Sequence, residues 1–250
     1  PNLPRKVMTQ KFALITGGAK RIGAITTKYL HEKGFNIILH YNNSKIEAES
    51  IIGELNKIRK NSCFAFQADF NSEASVSKLV EKVSGITETL DVLINNASSF
   101  YSTPIDKASL DDWKDLTNTN VTTPLFLIQA LLIHLKSVNG CVVNITDSLV
   151  KNGIEQFSLY SGAKAALEGI TKSLAKELAP DVRVNAIAPG AILWPDDKDL
   201  SDSEKESILK KVAMERIGKP EDIASTIFFL TESKYITGQI INVDGGRFSF

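Results

Sequence analysis

The sequence predicts an α/β fold, a doubly wound parallel sheet with helices on both faces. Three observations carry that expectation. Short apolar runs alternate with amphipathic helical segments, several of those runs have no polar residue between the apolar ones, and the first leads through a glycine-bearing turn into a helix. A strand that is apolar on both sides is covered on both sides, as in parallel sheets. The alternation is that of successive βα units.

Phe12–Ile15 reads as the first strand, followed by a helix from about Arg21 to Lys33 that Gly34 ends. Phe35–His40 is the second strand, Lys45–Lys60 a helix with a charged face, and Cys63–Ala68 the third strand. Ser72–Ser84 is helical, Asp91–Asn95 is the fourth strand, and Leu110–Thr119 begins another helical stretch. Pro124 suits the first position of a separate helix capped by Thr122 or Thr123, which runs to about Ser137 and stops at Gly140. Cys141–Thr146 is the fifth strand, Leu159–Leu178 a long helix ended by Pro180, and Val182–Ala188 the sixth strand. A helix opened by Pro220 covers Glu221–Thr231, and Gln239–Val243 is the last strand. Ala191–Ser207 is the one acidic, irregular stretch. With no repeat and no low-complexity linker, residues 1–250 read as a single domain.

Twenty-nine basic and 29 acidic side chains cancel, which argues against a nucleic-acid partner, since such binding rests on neutralising phosphates. A composition of 43% hydrophobic and 23% charged residues is that of a globular protein. Cys63 and Cys141 both lie in apolar runs and read as buried thiols, in keeping with a reducing compartment. Pro1–Gln10 lacks the apolar centre of a signal peptide, and Pro124–Leu135, interrupted by Gln129 and His134, is too short to span a bilayer. The expectation is a soluble cytoplasmic protein with no membrane partner. His31, His40 and His134 have no second ligand at metal spacing and read as packing or surface residues, so no metal is expected. Trp113 and Phe126 read as core. Asp196, Asp197 and Asp199 could mimic a metal site, but fit better a solvated loop that lids a pocket.

The first strand–helix turn reads Thr16-Gly17-Gly18-Ala19-Lys20-Arg21-Ile22-Gly23. Glycines let backbone approach a pyrophosphate, and a helix N-terminus offers it free N–H groups and a positive dipole end. A bare strand–helix turn would look similar, but the position at the first junction favours a nucleotide. At the end of the second strand, His40-Tyr41-Asn42-Asn43-Ser44-Lys45 holds no acid before Glu47. A carboxylate there would bind an adenosine ribose and select NAD. In its absence a 2′-phosphate meets no repulsion, and Lys20, Asn43, Ser44 and Lys45 could contact it, so NADPH is the expected cofactor. Tyr160 and Lys164 are four apart and share a helix face. An ammonium beside a phenol lowers its pKa and makes it a usable proton donor.

These residues resemble the short-chain dehydrogenase/reductase family, whose fold is Rossmann-like. The likeness runs from about Lys11 to Arg247 and comprises the glycine turn, Asn95-Asn96-Ala97, Asn120, Tyr160-x-x-x-Lys164 and Pro189-Gly190. Two departures stand out. Arg21 replaces the middle glycine of the turn, and Asp147 stands 13 residues before Tyr160, where a serine is usual. An anionic Asp147 would repel a carbonyl oxygen gaining charge but suits a substrate that takes a proton on a basic nitrogen. Both departures occur together in the pteridine reductase branch, which also shares Asn95-Asn96-Ala97-Ser98-Ser99-Phe100, Tyr235-Ile236-Thr237-Gly238 and Val243-Asp244-Gly245-Gly246.

That resemblance implies a cofactor site formed by Gly17, Lys20, Arg21, Ile22, Gly23, His40, Tyr41, Asn42, Asn43, Ser44, Asp69, Phe70, Asn96, Ala97, Ser98, Tyr160, Lys164, Pro189 and Gly190. Asp69 would contact the adenine, though it could equally cap the helix that follows. The implied substrate site is Arg21, Ser98, Phe100, Asp147, Tyr160, Ile192, Leu193 and Trp194, with the pterin ring between the nicotinamide and Phe100. Hydride would go to a C=N carbon. Asp147 would relay a proton to N5 of a dihydropterin, and Tyr160 would protonate N8 of an oxidised one. Lys164 would hold the nicotinamide ribose, and Asn120 the active-site helix and a water chain.

Asn42-Asn43-Ser44 stands where protozoan members of the branch carry His-Arg-Ser, and Ile192 where they carry a serine. The choice among biopterin, monapterin and folate stays open. A carbonyl reductase such as a 3-oxoacyl-thioester reductase, or a non-catalytic NADP-binding sensor, are the rival readings. The segment Pro124–Lys136 is apolar on nearly every face, which points to contact with another subunit. The family resemblance implies a homotetramer.

Overall fold

The computed structural model describes residues 10–194 and 200–247. The elements in chain order are β1 (Phe12–Ile15), α1 (Arg21–Glu32), β2 (Asn36–Tyr41), α2 (Lys45–Ile58), β3 (Cys63–Gln67), α3 (Glu73–Ile86) and β4 (Val92–Asn95). Then come α4 (Leu110–Thr117), a π-turn (Asn118–Thr122), α5 (Thr123–Ala130), α6 (Leu132–Lys136), β5 (Cys141–Ile145), a 3-10 turn (Val150–Asn152) and α7 (Ser158–Glu177). β6 (Arg183–Pro189), α8 (Asp202–Leu209), α9 (Pro220–Glu232) and β7 (Ile240–Val243) complete the chain.

The strands pair in parallel in the order β3-β2-β1-β4-β5-β6-β7. Alternate residues of β1 to β6 feed two cores. Ala13, Ile15, Ile37, Leu39 and Ile94 face α1, α2 and α9, while Leu14, Ile38, Leu93, Val142 and Val184 face α3, α5 and α7. The strand order reverses between β1 and β4. In such sheets the crevice beyond the C-terminal strand ends at that point is the ligand site.

Three expectations need correction. Pro124 does not open a separate helix. Residues 110–130 run on as one helical rod through the π-turn, and neither Thr122 nor Thr123 caps with its side chain. The π-turn takes up the extra residue, with Thr123 N–H donating to Asn118 O five residues back. Second, the stretch expected to be irregular holds α8, whose Ser201 and Glu204 form a reciprocal cap. Third, Trp113 and Phe126 are not core, being 42% and 51% exposed, Trp113 with its ring edge against Gly162 of α7. Among the described residues no helix is long and apolar enough to cross a membrane. Pro1 to Thr9 and the acidic residues Asp196, Asp197 and Asp199 lie outside the described residues.

Candidate active site

The turn after β1 is closed by two glycines. Gly17 has φ +62°, and a Cβ on Gly23 would stand 2.0 Å from the Gly17 carbonyl oxygen. Both positions therefore exclude a side chain, and the N-terminus of α1 is left open to a ligand. The turn is stitched to the end of β4. Thr16 Oγ1 accepts from the N–H groups of Asn96 and Ala97 at 3.0 Å each, and Asn96 Nδ2 donates to the carbonyls of Thr16 and Gly17. His40 stands behind the turn rather than on its surface. Its Nδ1 accepts from Gly17 N–H at 3.2 Å, Nε2 donates to Ala68 O at 3.0 Å, and its ring stacks on Phe70 at 4.2 Å. Burial pulls its pKa down to about 4, so the ring is neutral, as accepting at Nδ1 requires.

Arg21, where a glycine was expected, keeps the left-handed backbone of one, at φ +51°. That conformation costs an L-residue roughly 1–2 kcal/mol. Ile22 packs its side chain on the core beneath. At the end of β2, where adenosine was expected, Tyr41 is half-buried, Asn42 and Asn43 are exposed, and Ser44 opens α2. Lys20 forms an ion pair with Glu47 at 2.8 Å. Asp69 does not cap α3. Ser72 does, and the Asp69 carboxylate accepts from Asn71 N–H at 2.9 Å.

At the reacting end, β5 delivers Asp147 and α7 delivers Tyr160 and Lys164. The Tyr160 hydroxyl donates to Asp147 Oδ2 at 3.0 Å, while Asp147 Oδ1 accepts from Leu149 N–H at 2.8 Å. Lys164, fully enclosed, donates to the Ile145 carbonyl at 2.8 Å, with Nζ 5.9 Å from the centre of the Tyr160 ring. Burial pulls the Lys164 pKa down to about 8, against the pull of Asp147. The expected lowering of the phenol pKa is overturned. Burial first, and then the Asp147 carboxylate, push Tyr160 well above its ordinary value. The nearest charge on the hydroxyl is the anion.

Asn120 lies in the π-turn, buried, with Nδ2 donating to the carbonyls of Ser99 and Leu116 and Oδ1 accepting from Ser98 Oγ at 2.7 Å. Pro124 has no N–H to give to the Asn120 carbonyl four residues earlier. Phe100 is 57% exposed, lies edge-on to Tyr160 at 4.8 Å, and stacks on Phe157 at 4.5 Å. Pro189 and Gly190 end β6, Gly190 so close to Asp244 that a Cβ there would lie 2.6 Å from the Asp244 Cα. Beyond them Ile192 is buried, Leu193 exposed and Trp194 half-buried. A cavity of about 410 Å³ opens past Ile192, between Met214, Arg216, Asp222 and Asp244, away from the Asp147–Tyr160 pair.

The structure thus brings Asp147, Tyr160, Lys164, Phe100, Ser98 and Asn120 to one end of the sheet. Two neighbours of the expected site residues were missed in the sequence. Phe157, three before Tyr160, backs Phe100, and the i, i+3 spacing was the available signal. Glu47, noted only as the first acid after β2, reaches Lys20.

Residues 17–247 match the family described as Enoyl-(Acyl carrier protein) reductase. The chain is 34% identical to Pteridine reductase 1 of Leishmania tarentolae, over 95% of this chain and 96% of that protein. It is also 34% identical to a 3-oxoacyl-(acyl-carrier-protein) reductase of Staphylococcus epidermidis, over 95% and 99%. A protein of the same name from Synechocystis is 34% identical over 97% and 99%.

Proposed function

We propose, from the premise that this chain belongs to the short-chain dehydrogenase/reductase family, that it is an NADPH-dependent reductase of pterins, taking a dihydrobiopterin, dihydromonapterin or dihydrofolate to the tetrahydro form. The observation that carries the reading is the 3.0 Å hydrogen bond from Tyr160 to the Asp147 carboxylate. A carboxylate beside the phenol opposes charge growing on a carbonyl oxygen and favours protonation of a ring nitrogen.

The close backbone approach at Gly17 and Gly23, the open N-terminus of α1 and the nearby Lys20 fit a dinucleotide. In this reading the turn holds the pyrophosphate, Lys164 the nicotinamide ribose, and Lys20, Asn43, Ser44 and Lys45 the 2′-phosphate. NADPH supplies the hydride when bound. Phe100 offers its exposed ring to a flat heterocycle, steadied by Phe157 behind it. Asp147 takes a proton from water and passes it to N5. Tyr160, whose raised pKa keeps the phenol protonated at neutral pH, donates to N8 of a fully oxidised ring. Asn120 fixes Ser98 at the ring's polar edge. The exposed Phe126 and Ile133 of the α5–α6 stretch form the contact of a homotetramer.

The test is NADPH consumption with dihydrobiopterin, dihydromonapterin, dihydrofolate and an acetoacetyl thioester side by side. Turnover of the thioester alone would replace the reading with the second one, a 3-oxoacyl-thioester reductase, which the Staphylococcus and Synechocystis relatives favour.

A further inference from the structure

The two lysines assigned to the 2′-phosphate are each met by an acid. Lys20, at the start of α1, pairs with Glu47 at 2.8 Å, and Lys45 lies 3.7 Å from Glu49 one turn along α2. The Lys20–Glu47 pair joins the cofactor turn to the first turn of α2, across the mouth where the adenosine ribose enters. Its two side chains are 56% and 43% exposed, so a ligand can reach them. Glu49 is a helical neighbour of Lys45 on α2 itself and does not bridge to the turn.

We propose that Glu47 is a specificity-determining residue for the cofactor, which holds Lys20 away from the 2′-phosphate and narrows the preference for NADPH over NADH. The proposal rests on the NADPH reading above. For a 2′-phosphate to engage the Lys20 ammonium, Glu47 must release it and then face a second anion. A ribose with a 2′-hydroxyl leaves the pair intact. The Lys20–Glu47 pair therefore opposes the phosphate in part and is indifferent to the hydroxyl. An exposed ion pair is weak, so the effect on affinity is about fourfold.

The experiment is calorimetric binding of adenosine 2′,5′-bisphosphate and of 5′-AMP, in a double-mutant cycle of Glu47→Gln and Lys20→Gln. Glu47→Gln is expected to tighten the bisphosphate about fourfold and to leave 5′-AMP within about twofold. The gain disappears in the Lys20→Gln background, and Glu49→Gln does not reproduce it. An unchanged bisphosphate affinity in Glu47→Gln, or a gain that persists without Lys20, overturns the inference. NADPH and NADH turnover by the wild type is measured separately. An enzyme that uses only NADH overturns the NADPH reading, whereas loss of the coupling with NADPH turnover intact overturns the role of Glu47 alone.

Discussion

Replacing Asp147 by Asn keeps the shape of the side chain and an oxygen for the Tyr160 hydroxyl, and removes the charge. The 3.0 Å separation sets the scale. Two unit negative charges at that distance repel by about 5 kcal/mol at an effective dielectric of about 20, before solvent at the half-buried carboxylate screens them. Carboxylate and phenolate therefore do not coexist near neutral pH, and the proton stays on Tyr160 while Asp147 is charged. In Asp147→Asn that restraint is gone. The phenol pKa falls part of the way toward its ordinary value, since burial still raises it, and the alkaline limb of the pH–rate profile for a fully oxidised pterin moves down with it. On the pterin reading the group that would carry water's proton to N5 is lost as well. General acid–base groups contribute about 10²–10⁴ in rate, so kcat/KM for a dihydropterin should fall at least about 100-fold, near 2.7 kcal/mol of transition-state stabilisation. The assay is NADPH consumption across pH 5 to 10, with NADPH affinity from fluorescence titration as the check on integrity. Retention of a third or more of the wild-type kcat/KM, with affinity unchanged, would refute Asp147 as the proton carrier.

Gly23→Ala puts a Cβ 2.0 Å from the Gly17 carbonyl, so the turn must move. NADPH affinity should drop at least about tenfold and unfolding should cost about 1–3 kcal/mol less. An unchanged melting temperature with unchanged affinity would contradict the closure described. Phe157→Ala removes the ring behind Phe100, so KM for a dihydropterin should rise about fivefold with kcat little changed, and Phe157→Tyr should restore it. Equal losses of kcat in both variants would show a different role. Lys164 is a base whose pKa is lowered in the fold to about 8. Between there and its ordinary value near 10.4 the unfolded chain binds the extra proton, so this group's contribution to stability rises with pH by roughly 3 kcal/mol in all. In urea unfolding the wild type should gain on Lys164→Met by most of that amount between pH 7 and pH 10, and a constant gap would deny the buried ammonium.

The scaffold was legible because burial on both faces leaves a plain mark. β1, β2, β4 and β5 are buried along nearly their whole lengths, and their apolar runs mark them within a residue or so. α8 left no such mark. Its apolar residues, Ile208 and Leu209, are adjacent and at its end, so no helical period shows, and only the Ser201–Glu204 spacing betrayed it. Apolar character also fails to say which side of a helix faces in, hence Trp113 and Phe126. At the site, the i, i+4 spacing of Tyr160 and Lys164 gave their common face. It could not give the sign of the phenol's shift, because Lys164 turns to the Ile145 carbonyl and Asp147 arrives from another element.

Equal identity to a pteridine reductase and to 3-oxoacyl reductases follows from the same physics. A third of the chain is identical to each of two proteins named for different substrates, so overall identity does not separate those substrates. The sheet's two cores and the glycine turn depend on burial and close approach, and neither changes with the substrate. On the proposed reading the chemistry is chosen at the C-terminal strand ends, by whether the group offered to Tyr160 carries a charge. A hydroxyl there would leave the phenol to polarise a carbonyl; a carboxylate ties it to proton delivery. On that reading Asp147, just past the end of β5, marks the substrate class, and Asp147→Ser should shift turnover from pterin toward thioester without altering the fold.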